Sequence, residues 1–387
     1  MSERFCDSFY DKSKYFLPKH AGDHLAHSVS FRSGTQLHGR GYWKFPRYLL
    51  DYPLVVSAIE KETELVRENI RIAQNTGKVW EKWKLDIKAQ LQDIQKKLRQ
   101  QDTQDVADAR VLLDQAAARY RVYRNPVWGS EMGDAESPSG TALAPDELKQ
   151  LMLLESVSRF VSDTDRDMPN AALTAADLAN AIQHMRATSS PGMDGLTAEF
   201  YQVTPDVFGE CLQVVFSDRL RRGVLLMSQR KSAVVLLHKK GSRDETENYT
   251  PIALVPVDAK VLSKALTYRL QNVMLDLIDP DQKGFVKVRS IHQHVRFLDD
   301  LQDIITSRDE EAYALFLDFQ KAFDRVKWEY MFRLLIRMGF GHVFIQWIKM
   351  LYTKPQAHLL LNGNIQPALY PTRGARQGDP YRRYYLC

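Results

Sequence analysis

Residues 315–326 read LFLDFQKAFDRV. The apolar run Ala314-Leu315-Phe316-Leu317 delivers a carboxylate, Asp318, and a second one, Asp324, follows six residues later. A charge at the end of a buried strand is costly unless something compensates it. A hard divalent cation such as Mg²⁺ does so, because it takes one or two carboxylates together with substrate phosphates. Two such ions, about 3.5–4 Å apart, activate an attacking hydroxyl and stabilise a phosphate leaving group. An aspartate here equally suits the cap of a helix expected to begin near Lys321, so the local pattern leaves both roles open. Lys239 and Lys240 end another apolar run, SAVVLLHKKG, where they are either point charges for a phosphate or part of a solvated loop. RGARQGDP (373–380) carries the glycines that let a backbone approach a ligand closely.

The whole chain sets bounds on that chemistry. It has 387 residues, 44% hydrophobic and 26% charged, with a net charge of +5, which is the composition of a soluble globular protein with a mildly basic balance. Cys6, Cys211 and Cys387 are far apart and form no CxxC pair, so reduced thiols in an intracellular protein of the nucleus or cytoplasm are expected. The start has no basic segment followed by an apolar one, and no apolar run approaches the ~18 residues of a membrane span. Secretion and membrane insertion are therefore not expected.

The elements that must position these residues follow from periodicity. Ser28–Phe31 reads as a strand. Residues 54–72 and 78–124 read as helices, the second with Trp80, Trp83, Ile87, Leu91, Ile94 and Leu98 at spacings of three and four. This helical pair either packs on a neighbouring domain or lays its basic side chains along a nucleic acid. Residues 129–140, small, acidic and rich in Gly and Pro, mark a linker. In LTAADLANAIQHM, Thr174 and Asp177 have the spacing of a reciprocal helix cap. Beyond residue 230 come SAVVLLHKKG (strand, loop), YTPIAL (strand) before a helix, EAYALFLDF (strand) before a turn and helix, and a hairpin turning at Asn362-Gly363. Phe297-Leu298-Asp299-Asp300 falls in a helical pattern and reads as a solvated helix face. Mixed strands and helices of this kind predict an α+β fold.

Five blocks carry a family resemblance: SSPGMDGLTAEFY (189–201), HKKGSRDETENYTPIALVPVDAKVLSKALTYRL (238–270), QKGFVKVRSIHQHV (282–295), LFLDFQKAFDRV and RGARQGDP. In that order they resemble the successive motifs of reverse transcriptases, in particular those of non-LTR (LINE-type) retrotransposons. The resemblance implies a partial right-hand polymerase, fingers and part of the palm, over residues 185–387, preceded by a helical region. It implies Asp318 as a catalytic, metal-binding carboxylate, with the Phe319 carbonyl facing the metal, and Mg²⁺ as cofactor. Phe323 becomes the aromatic wall that rejects a 2′-hydroxyl, and Lys239 and Lys240 the contacts to an incoming triphosphate. Gln377 and Gly378 would lie against the nucleotide, and Arg289 and Arg376 against the nucleic acid. Gly192 and Gly195 suit either a turn that meets template backbone or a plain turn. RNA template, DNA primer or target and dNTPs are the implied partners, with no membrane.

AGDHLAHSVSF (21–31) resembles the end of an apurinic-type endonuclease, with Asp23 and His24 as its catalytic pair and Gly22 where that family usually has Ser. The implied organisation is an endonuclease remnant (1–38), a helical connecting region (39–128), a linker (129–148), a helical lead-in (149–184) and the polymerase (185–387). Departures accompany the likeness. Thr250 stands where the family usually has an Arg that pairs with phosphate, and Val288 replaces a usual Gly. The second carboxylate motif and the thumb are not found after Pro380. The expectation is a truncated polymerase without activity of its own; the alternative is a basic nucleic-acid-binding remnant.

Overall fold

The computed structural model describes residues 10–16, 26–31, 41–117, 147–286, 288–308, 311, 313–317, 319, 322–375 and 380. Strands β1 (Tyr10–Phe16) and β2 (Ala26–Phe31) pair antiparallel, and β2 contains the expected strand Ser28–Phe31. A 3₁₀ turn, Arg47–Asp51, leads into α1 (Pro53–Ile72), which starts on a proline whose missing N–H costs nothing in a first turn. Helix α2 (Thr76–Ala117) follows. Next come α3 (Glu147–Glu155), α4 (Asp163–Asn170), α5 (Ala175–Gln183), α6 (Ala198–Tyr201), α7 (Pro205–Arg222) and α8 (Met227–Arg230). Strands β3 (Lys231–His238) and β4 (Tyr249–Leu254) precede α9 (Val257–Leu277) and α10 (His292–Arg308). The described chain ends in α11 (Ala322–Arg325), α12 (Trp328–Arg337), α13 (His342–Tyr352), β5 (Gln356–Leu361) and β6 (Asn364–Leu369).

One apolar core joins most of these elements. Trp80, Trp83, Ile87 and Leu91 of α2 are buried, as their spacing predicts, and Ile94 and Leu98 pack against them. Trp80 and Trp83 stack with ring centres 4.9 Å apart, and Phe208 meets Trp80 edge-on at 6.4 Å. Phe200 lies 6.2 Å from Trp83. The helical pair α1–α2 thus shares its interior with α6 and α7. Helix α9 is buried at every position from Val257 to Ser263, so it is covered on all sides and forms the axis of the packing.

The main sheet has the order β4-β3-β5-β6. β3 pairs antiparallel with β4, from Ala233↔Leu254 to His238↔Tyr249, and parallel with β5, from Lys231↔Gln356 to Val234↔Leu359. Pro251, which lacks an N–H, is tolerated because β4 is an edge strand. The β5–β6 hairpin turns at Asn362 (φ 48°) and Gly363 (φ 75°), the left-handed pair that an Asn-Gly turn adopts.

The expected strand through Ala314–Leu317 is not formed. Residues 313–317 lie outside any strand, and Leu315, Phe316 and Leu317 are 83%, 79% and 75% exposed. An apolar run becomes a strand only beside a neighbour that takes its backbone hydrogen bonds. No described strand pairs with this segment, and neither edge of the sheet, β4 or β6, takes it up. The exposed face expected for Phe297–Asp300 is present: α10 has no buried residue.

Candidate functional site

A cleft of about 200 Å³ opens where the sheet meets α11, α12 and the loop after β6. Ser232 and Val234 of β3 and Pro251 and Ala253 of β4 form one wall. These alternate positions share one face of the pleat. Asp324, Trp328 and Gly374 form the other. That wall is tied by main-chain bonds: Ala375 N–H donates to the Phe323 carbonyl at 2.8 Å and Gly374 N–H to the Val326 carbonyl at 2.9 Å. The Trp328 indole N–H donates to the Gly374 carbonyl at 2.8 Å. Gly374 has φ +82°, and a Cβ there would stand 2.9 Å from the Asp324 carbonyl oxygen, so both backbone shape and close approach require glycine. Phe323 is half-buried against the core, and Asp324 is exposed at the cleft. The structure thereby brings together two segments singled out in the sequence, FDRV and RGA.

Lys239 and Lys240 are exposed at the end of the β3–β4 ribbon. Their loop is pinned by the Lys239 N–H to the Asn248 carbonyl (2.8 Å), Asn248 Nδ2 to the Ser242 carbonyl (2.8 Å) and the Tyr249 hydroxyl to the Arg243 carbonyl (2.9 Å). Two cations therefore stand on an ordered tip, a geometry suited to an anion. Thr250 sits beside that tip, opposite Leu237.

Arg289 is placed elsewhere. Its guanidinium donates to the carbonyls of Leu275 (3.2 Å), Ile278 (3.1 Å), Gln282 (3.0 Å) and Asp279. It satisfies carbonyls at and just beyond the C-terminus of α9, where a cation also meets the negative end of the helix dipole. The half-buried guanidinium expected on a nucleic acid is engaged by these carbonyls. The Phe319 carbonyl, expected to face a metal, accepts the Ala322 N–H at 3.2 Å. Asp318, Arg376, Gln377, Gly378, Asp23 and His24 lie outside the described residues. Among the described residues no cluster of three His, Cys, Asp or Glu suits a metal ion, so they do not complete a donor set for Mg²⁺.

A second constellation was not singled out in the sequence. Lys84 of α2 places Nζ 2.9 Å from Asp194 Oδ2 and 2.9 Å from Asp258 Oδ2. The Trp80 indole N–H (3.2 Å) and Gln229 Nε2 (3.1 Å) donate to the same Asp258 oxygen. Burial alone would push the Lys84 ammonium down, but attraction and hydrogen bonds from both carboxylates outweigh it and hold it above the usual lysine value. Burial likewise opposes the Asp258 carboxylate, and Lys84, Trp80 and Gln229 overcome it and hold the group below the usual range. The signal was legible: Lys84 stands four residues after Trp80 and three before Ile87, a lysine on the apolar stripe. Beside it, Gly192 and Gly195 serve close packing. A Cβ on Gly192 would meet Pro256 N at 2.4 Å, and one on Gly195 (φ +83°) would meet the Trp43 carbonyl oxygen at 2.1 Å.

Comparison with known proteins adds the context. Residues 237–381 match the family described as reverse transcriptase (RNA-dependent DNA polymerase). The uncharacterized 149 kDa protein of transposon TX1 from Xenopus laevis is 33% identical over 220 residues, 57% of this chain and 17% of that protein. The Pol polyprotein of the type-2 retrotransposable element R2DM of Drosophila melanogaster is 26% identical over 210 residues, 54% of this chain and 19% of its own length. The RNA-directed DNA polymerase of the mobile element jockey from the same fly is 26% identical over 166 residues, 41% of this chain and 18% of the relative. The chain spans less than a fifth of the length of each of these relatives.

Proposed function

The chain carries a reverse transcriptase (RNA-directed DNA polymerase) domain related to those of non-LTR retrotransposons, and we propose that its fold is the fingers and first part of the palm of such a polymerase. The observation that carries this reading is the clamp of Gly374–Ala375 on Phe323–Val326 beside the sheet that bears Lys239 and Lys240. It supports Phe323 as the wall beneath the sugar, with Arg376, Gln377 and Gly378 continuing toward nucleotide and template. Lys239 and Lys240 would meet the triphosphate as point charges. Asp318 would be the first carboxylate for Mg²⁺, the ion that would supply charge neutralisation at the reacting phosphate. RNA template, DNA primer and dNTPs are the proposed partners. The likeness of residues 1–38 to an endonuclease end, and the domain limits at residues 38, 128, 148 and 184, belong to the same proposal.

One observation favours binding without synthesis by these 387 residues. Leu315, Phe316 and Leu317 are exposed and lie outside any strand, and among the described residues no cluster of three His, Cys, Asp or Glu suits a metal ion. Thr250 also lacks the charge and fork of the arginine usual there. The test is primer extension on an RNA template with Mg²⁺, run beside a binding titration across salt. The expected result is retention of primer–template that weakens steeply with salt, the mark of phosphate contacts, and no incorporation. Incorporation abolished by Asp318→Asn would overturn the binding-only reading. Absence of any salt-sensitive retention would remove the polymerase reading for this chain.

A further inference from the structure

Four tethers hold the loop Ser189–Gly195. The Tyr42 hydroxyl donates to the Pro191 carbonyl at 3.1 Å, and the Phe45 N–H to the Gly195 carbonyl at 2.8 Å. Lys260 Nζ reaches the Ser190 carbonyl at 3.1 Å, and Lys84 reaches Asp194 at 2.9 Å. The last tether differs in kind, because the Lys84 side chain is 4% exposed and that of Asp258 fully buried. Taking charges out of water offsets much of the attraction between them, so a buried pair of this sort is a poor source of stability by itself. What it supplies is direction. One ammonium must keep two carboxylates within hydrogen-bond reach, which fixes α2, the loop and the start of α9 in a single arrangement. Within the loop a single turn is closed, by the Gly195 N–H on the Gly192 carbonyl at 3.0 Å, while Ser189 Oγ and Asp194 Oδ1 are buried and make no hydrogen bond within the described protein.

The surroundings of the loop are cationic. Lys88 lies over the Trp43 ring at 5.8 Å and Lys44 over the Tyr42 ring at 5.6 Å, while Arg186 is exposed just upstream. The loop's own carboxylate, Asp194, is matched internally by Lys84. Positive charge beside aromatic rings suits a nucleic-acid strand, through phosphate attraction and base stacking.

We propose that Lys84 is a positioning residue: by holding Asp194 to Asp258 it sets the shape of the 189–195 loop, so that this one buried side chain of α2 tunes the grip on a nucleic-acid strand without touching it. The grip rests on the function proposed above; the shaping of the loop does not. Asp194→Ala cuts the tether while leaving Lys84 paired with Asp258, so no buried charge is stranded.

In the full chain, hydrogen exchange at the amides of 189–197 and binding to an RNA–DNA primer–template across salt read the two parts. Asp194→Ala is expected to raise loop exchange and weaken binding by about ten-fold, the loss of one charge-assisted hydrogen bond. The salt slope should stay unchanged, whereas loss of a direct phosphate contact lowers it by about one. Asp194→Asn, which keeps an oxygen for Lys84, should restore both. Lys84→Arg, which keeps the charge but relocates its donors, reads the same coupling should Asp194→Ala not fold. Loop exchange unchanged in Asp194→Ala overturns the proposal whatever the binding does. Loop exchange that rises while binding stays unchanged overturns the coupling of loop shape to the grip. Wild-type protein that binds no nucleic acid fails the polymerase reading and the grip together, with loop exchange still reporting on the shaping.

Discussion

Val288 stands at φ +63° with its side chain 81% exposed. A left-handed backbone presses the Cβ of an L-residue against the following carbonyl, and β-branching adds crowding. No packing is given up by removing so exposed a side chain. Val288→Gly should therefore stabilise the protein by about 1 kcal/mol, the relief of the left-handed penalty less the extra chain entropy of glycine. Urea unfolding checks it, and a midpoint at or below that of the wild type contradicts it. The oddity of Val288 was visible in the sequence, because the resembling family uses glycine there. The direction of the neighbouring Arg289 was not. Its target is set by where the last carbonyls of α9 emerge, and no local pattern encodes that.

At the scale of elements, the start of α5 shows how a local device becomes tertiary. The Thr174 side chain accepts the Asp177 N–H at 3.1 Å, and the Asp177 carboxylate accepts the Thr174 N–H at 3.0 Å. The same carboxylate oxygen also accepts Arg269 Nη2 at 2.7 Å, joining the cap to α9. Thr174→Ala should cost about 1 kcal/mol, the usual loss of a cap. Asp177→Ala should cost more, since it also removes a charge-assisted bond to a buried arginine. Burial opposes the Asp177 carboxylate, but the Thr174 N–H and Arg269 hold it below the usual range. Its contribution is complete above the unfolded value of about 4 and is lost as pH falls through the lower folded one. The two variants should thus converge in stability in acid, and a gap that persists at low pH would contradict the assignment. This cap and the Asn362-Gly363 hairpin were readable because both are closed within a few residues. The run Ala314–Leu317 was misread as a strand because strand formation depends on a neighbour that sequence spacing does not supply.

Among the described residues one core runs from Phe45 to Ala375, and the protein's pH response should report that unity. Two acids that are neutral when protonated sit in the interface between the early helices and the later chain. Burial raises the Tyr42 hydroxyl, with a further push from Asp194, from 10.0 to about 12. Burial raises the Cys211 thiol from 9.0 to about 12. Both groups bind protons more tightly folded than unfolded, so their contribution is full below the unfolded values and drains away as pH rises through the folded ones. The carboxylates of Asp258 and Asp177 are shifted down and act in the opposite sense, contributing above about 4 and failing in acid. Melting temperature should therefore be flat from about pH 5 to 8.5 and fall on both sides, the alkaline fall starting with the thiol near pH 9. Cys211→Ala removes the thiol, which titrates before the buried tyrosines, so its plateau should extend to about pH 10, where Tyr42, Tyr201 and Tyr268, all raised by burial, begin to titrate in the unfolded chain. Circular dichroism melts across pH measure this directly. An alkaline limb that starts at the same pH in both proteins would mean that Cys211 is not sealed between α1 and α7, and that the helical pair is held to the rest less tightly than the shared core requires.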